Sequence, residues 1–91
     1  MHTIALPADR RNHIKSTHDN ELICNSAATE IAILDRWGKA IWQKARGQSL
    51  EPLTWNGLDC YGDEVTAGSY LCKIVYPDNL VVYVPFVFIQ K

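Results

Sequence analysis

From Glu21 onward the apolar positions recur with a period of two, in short runs broken by polar or glycine-bearing loops. Leu22 and Cys24 alternate with Ile23, and Ile31 and Ile33 alternate with Ala32 and Leu34. The segment Asp35-Arg36-Trp37-Gly38-Lys39 then separates two β-type runs, which is a hairpin signal. The returning strand is Ala40 to Lys44, whose alternation puts Ile41 and Trp42 on opposite faces. A polar loop, ARGQSLEP at 45–52, leads to a short strand from Leu53 to Trp55. Ser69 to Tyr76 is the cleanest strand: Tyr70, Cys72, Ile74 and Tyr76 share one face, and Leu71, Lys73 and Val75 the other. Pro77-Asp78-Asn79 supplies turn residues. Leu80 to Ile89 returns, so 69–89 reads as one long antiparallel hairpin. Residues 1–20 are polar and irregular, with Pro7, Asn12 and Asn20, and leave room for one short strand. No segment holds a 3.6-residue period over three turns, so little or no helix is expected.

About six to seven short strands without βαβ alternation point to an all-β fold, an antiparallel sandwich. Two segments carry most of the remaining information. The first is WNGLDCYGDEVTAGSY, from Trp55 to Tyr70, where Gly57, Gly62 and Gly68 sit at chain reversals. It reads as scaffold. The second is the last strand, apolar on both faces: Leu80, Val82, Val84, Phe86 and Phe88 on one, Val81, Tyr83, Val87 and Ile89 on the other. A half-exposed strand should alternate with polar residues. Pro85 has no N–H for a ladder and points to an edge position there. Such a strand needs cover. The N-terminal segment could supply it, or a partner chain could dock on Val81, Tyr83, Pro85, Val87 and Ile89.

The chain has 91 residues, 47% hydrophobic and 21% charged, with a formal net charge of −1. That suits a single domain spanning 1–91 with a modest core. Near-neutrality removes the electrostatic footprint of a nucleic-acid binder, and the short basic cluster Arg10-Arg11 with Lys15 does not restore it. No apolar run approaches the roughly 18 residues of a membrane span. MHTIALPADRR lacks the basic and apolar regions of a signal peptide, so the chain is either cytosolic or a mature or excised domain. Cys24, Cys60 and Cys72 follow no zinc spacing. They read as three buried small hydrophobes, with one bridge plus a free thiol as the alternative. His2, His13 and His18 match no metal template, and Asp59, Asp63 and Glu64 lack calcium-loop spacing. No nucleophile has a convincing base, so neither an enzyme nor a cofactor is expected. A carbohydrate-binding role would need exposed tryptophans. The bland alternative is that Trp37, Trp42 and Trp55 supply the core. Arg36 could stack on an aromatic or pair with Asp35 or a backbone carbonyl.

The order strand, D-R-W-G-K, strand, W-N-G, x-D-x-x-G, A-G-S-Y, strand, hairpin resembles the gliding-motility-associated C-terminal domain, the type B sorting domain of type IX secretion. It is also similar to the Ig-like domain of flagellar hook-capping proteins. The likeness runs from Ile31 to the C-terminus. Arg36, Trp37 and Gly38 match the family's arginine-tryptophan-glycine hairpin. Trp55, Asn56 and Gly57 match its tryptophan-aspartate-glycine corner, with Asn56 in place of the usual aspartate. Gly62, Gly68 and Tyr70 match the glycines and tyrosine that close it, and Phe86 to Lys91 the final strand. The family's opening proline-asparagine-x-aspartate-glycine segment has no counterpart in residues 1–25. The resemblance implies an Ig-like β-sandwich and a non-catalytic module of an extracellular or cell-surface protein. Its role would be sorting, attachment or protein–protein scaffolding. The alternative is a self-assembling structural subunit, a homo-oligomer joined through its C-terminal strand.

Overall fold

A computed structural model describes residues 2–5, 13–18, 21–48 and 51–90. The described chain is all β, without a helix. Its strands are β1 (His2–Ala5), β2 (Ile14–His18), β3 (Glu21–Cys24), β4 (Glu30–Leu34), β5 (Ala40–Ala45), β6 (Thr54–Trp55), β7 (Gly68–Val75) and β8 (Val81–Gln90). A five-stranded sheet has the order β1-β8-β7-β4-β5, and a three-stranded sheet the order β2-β3-β6. Every pairing is antiparallel. Leaving β1 aside, three strands face four, with consecutive strands crossing between sheets as in an Ig-like sandwich.

The sandwich is built by one alternating set of residues per sheet. Ile31 and Ile33 of β4, Cys72 and Ile74 of β7, and Val84, Phe86 and Phe88 of β8 point inward and are buried. They meet Ile14, Leu22, Cys24 and Trp55 from the smaller sheet. Burying so many branched and aromatic side chains on one shared face fixes the register, because a one-residue slip would turn that whole set outward. The β7–β8 hairpin pairs continuously from Gly68↔Phe88 to Val75↔Val81, as the alternation predicted.

Three features differ from the sequence-based expectation. The first 20 residues hold two strands, since β1 pairs with the end of β8 and β2 with β3. Ile41 and Trp42 do not take opposite faces. The register passes from Ile33↔Trp42 to Leu34↔Ala40, leaving Ile41 as the extra residue of a bulge. Both Ile41 and Trp42 consequently pack against the core. Finally, β8 is not an edge strand. It lies between β7 and β1, which pair with it on either side, β1 from His2↔Gln90 to Ala5↔Val87. The Arg10-Arg11 pair and Asp19 lie outside the described residues.

The glycine corner holds the sandwich closed. Trp55 is fully buried, and its indole N–H donates to the Leu58 carbonyl at 2.8 Å. Its ring packs on Phe86, Phe88 and Trp42, with centroids 5.8, 5.7 and 6.5 Å away. Tyr70, at the start of β7, donates its hydroxyl to the Thr66 carbonyl and stacks on Phe86. A tyrosine that turns back to the backbone just upstream of its own strand is the tyrosine corner of Ig-like sandwiches.

Candidate functional site

Two five-residue turns, Asp35-Arg36-Trp37-Gly38-Lys39 and Asp59-Cys60-Tyr61-Gly62-Asp63, share one design. In each, the Asp N–H donates to the carbonyl of the fifth residue, Lys39 or Asp63, at 2.9 Å. The Gly N–H donates back to the Asp carbonyl, at 3.0 Å for Gly38 and 3.1 Å for Gly62. Oδ1 of Asp35 accepts from the N–H groups of Trp37 and Lys39, both at 2.9 Å. Oδ1 of Asp59 does the same for Tyr61 at 2.9 Å and Asp63 at 3.0 Å. The fourth position needs a left-handed backbone, with φ of 83° at Gly38 and 86° at Gly62. Both turns therefore follow one rule: an aspartate fixes the loop from inside, and the third side chain is thrown outward.

That third side chain is aromatic in both cases. Trp37 is 77% exposed and Tyr61 85% exposed. The core role considered for Trp37 is thereby corrected: as the third residue of a tight turn it projects away from both sheets. Arg36 lies over it, with the guanidinium carbon 4.5 Å from the ring centroid. This is the stacking alternative for Arg36. The two turns flank one open cleft of about 650 Å³. Among its lining residues Val65 is buried and Ile41 and Tyr70 are partly buried, whereas Arg36, Trp37, Cys60, Tyr61 and Gly68 are exposed. The Cys60 N–H donates to the Ile41 carbonyl at 2.9 Å, tying the second turn to β5.

The structure thus divides the motif residues. Arg36, Trp37, Gly68 and Tyr70 meet at the cleft, while Gly38 and Gly62 set the turns beside it. Trp55 belongs to the core, and Asn56 and Gly57 form the corner under it. Gly57 is buried with φ of 85°, and its carbonyl accepts from the Val65 N–H at 3.1 Å. Tyr61 was missed by sequence reasoning. Its signal was there, in the shared spacing of aspartate, aromatic and glycine in DRWGK and DCYGD.

A second surface lies on the outer face of the five-stranded sheet. Val81, Tyr83, Val87 and Ile89 are between 39% and 50% exposed, in one row with exposed Pro85. Strand β1 pairs along the end of β8 but leaves this row open. Lys73 is the cross-strand neighbour of Tyr83.

The cysteines separate by burial. Cys24 and Cys72 are buried and Cys60 is exposed, so the reading of three buried hydrophobes holds for two of them. Among the described residues, no His, Cys, Asp and Glu side chains group so as to hold a metal ion. Among the described residues, no helix is long and apolar enough to cross a membrane. No family model, curated protein or solved structure matches this chain.

Proposed function

We propose that this chain is a non-catalytic Ig-like module of an extracytoplasmic or surface protein. It binds another protein through the end of the sandwich that carries the twin turns. One observation carries this reading: Trp37 and Tyr61 are held out into water by turns whose internal bonding is complete, beside an open cleft. Tryptophan, tyrosine and arginine are the residue types that concentrate binding energy at protein interfaces. Arg36 already covers one face of Trp37, which suits a protein contact better than sugar stacking. The likeness of Arg36, Trp37 and Gly38 to the sorting-domain hairpin makes the partner a component of secretion or surface machinery.

The test is a fusion. A fluorescent reporter carrying this chain at its C-terminus is expressed, behind an export signal, in a bacterium with type IX secretion. Sorting predicts reporter on the cell surface, lost in a W37A/Y61A double variant that still folds. Reporter retained in the periplasm with the unaltered chain refutes the sorting role.

The exposed β8 row favours a second reading, self-assembly of a structural subunit through that face. Light scattering across concentration distinguishes the two. A defined oligomer dispersed by V81K/Y83K, with the fold intact, supports self-assembly. A monomer at every concentration removes it.

A further inference from the structure

The buried cysteines occupy a particular place in the topology. Cys24 ends β3, the central strand of the smaller sheet, and Cys72 lies on β7, a central strand of the larger one. In Ig-like terms these are the second strand of the first sheet and the sixth strand, facing it across the core. Both side chains belong to the single core cluster between the sheets, at 3% and 0% exposure. They enter that cluster from opposite sheets, and Cys24 is the neighbour that does most to push the Cys72 thiol up. Tyr70, whose hydroxyl forms the tyrosine corner, lies two residues before Cys72. That spacing accompanies the second cysteine of the inter-sheet bridge in antibody domains. Trp55 packs in the same cluster.

We propose that Cys24 and Cys72 are the site of an inter-sheet disulfide, formed when the chain folds in an oxidising compartment. Both thiols lose their protons and one electron each, and one S–S bond forms. The electrons pass to a disulfide oxidant of the glutathione or dithiol-oxidase class, which is reduced to thiols. Cys60 is excluded by position, on the exposed rim of the cleft.

Burial also sets when the bond forms. A disulfide is made by a thiolate attacking a disulfide sulfur. The Cys24 side chain and burial together hold the Cys72 thiol well above its ordinary range. The finished native core is accordingly a poor place to start the reaction. Oxidation belongs to folding, before the sheets close, and the completed bond is then shielded from reductant. The bridge joins cysteines 48 positions apart in the chain (72 − 24). A crosslink over such a span removes substantial freedom from the unfolded chain.

The test uses the full chain, wild type and C60A. Each is unfolded in reductant, then refolded in a buffer of reduced and oxidised glutathione. Thiols are alkylated after a second unfolding and counted by intact mass, and the bonded peptides are mapped. Wild type should retain one alkylatable thiol and C60A none, with Cys24 and Cys72 recovered in one linked peptide. The oxidised form should melt at least about 10 °C above the reduced form. Three free thiols in wild type with two in C60A overturns the proposal, as does any bond that requires Cys60. An oxidised form that melts no higher than the reduced one overturns the structural role.

Discussion

Trp55→Phe is the most informative single substitution, because Trp55 joins the glycine corner to both sheets. The variant keeps an aromatic ring against Phe86 and Phe88 but deletes the indole N–H that donates to Leu58 at 2.8 Å. That bond contributes about 1 kcal/mol net, and leaving its carbonyl unpartnered adds to the cost. The smaller ring also leaves a gap in a fully buried site, at about 0.8 kcal/mol per missing methylene-sized group. Together these predict a loss of about 2–3 kcal/mol. Trp55→Ala, which empties the site, should cost about 3–5 kcal/mol. A domain of this size has about 5–14 kcal/mol to lose, so the alanine variant should sit near the edge of folding. Trp37→Ala is the internal control. It removes an equally large ring from an exposed turn and should cost under about 1 kcal/mol, mostly the Arg36 stack. Urea unfolding followed by far-ultraviolet circular dichroism reads all three without relying on the altered tryptophans. A W55F loss below about 0.5 kcal/mol, or a W37A loss larger than that of W55F, would refute this account of the core.

Two further predictions concern the turns and the alkaline limb. Gly38→Ala and Gly62→Ala force a Cβ into left-handed backbone and should each cost about 1 kcal/mol, although open space surrounds both positions. Asn79 holds the corresponding position of the β7–β8 turn at φ of 67°, so Asn79→Gly should be neutral or slightly stabilising in the same denaturation assay. The Cys72 thiol is raised by the Cys24 side chain and by burial, and the Tyr76 phenol is raised by burial. The fold therefore holds these protons to higher pH than the unfolded chain does. The stability they contribute is complete below the ordinary thiol value of about 8.5 and is lost progressively as pH rises from there toward the raised folded-state values. Stability of the reduced protein measured between pH 8 and 10.5 should fall, and Cys72→Ala should lessen the slope. A flat profile would contradict it.

The strands were legible because their apolar positions alternate. Cys72 and Ile74, or Val84, Phe86 and Phe88, can only share a face at period two, and burying that face selects the register. The N-terminal strands were less legible. HTIA and IKSTH carry little alternation, and their strand geometry comes from the partners they pair with on β8 and β3. The Ile41 bulge was hidden for a related reason: a two-residue period has no sign of an inserted residue until its partner strand is known. In the candidate site, the motif spacing located Arg36, Trp37 and Gly38, but exposure could not be read from an aromatic residue alone. A tryptophan at Trp55 and one at Trp37 look alike in sequence. One follows a strand into the core, and the other sits at the third position of a turn.

The difference between those two tryptophans is also what supports the proposed binding role. Every inward device here is complete without the turn tips: the Trp55 corner bond, the Tyr70 corner, and the rings of Phe86 and Phe88 close the sandwich among themselves. Each turn is likewise satisfied by its own aspartate and glycine, whichever side chain stands third. Stability therefore places little demand on the identity of residues 37 and 61, the Arg36 stack on Trp37 aside. An exposed ring also carries a hazard, since apolar surface invites non-specific association. Two large aromatics at equivalent positions, beside one cleft, fit the proposed contact with a partner protein. The same logic applies to β8. Val84, Phe86 and Phe88 are required by the core, but Val81, Tyr83, Val87 and Ile89 are not. Polar replacement at those outward positions should leave melting unchanged while altering binding or association, whereas polar replacement at Val84 or Phe86 should unfold the domain.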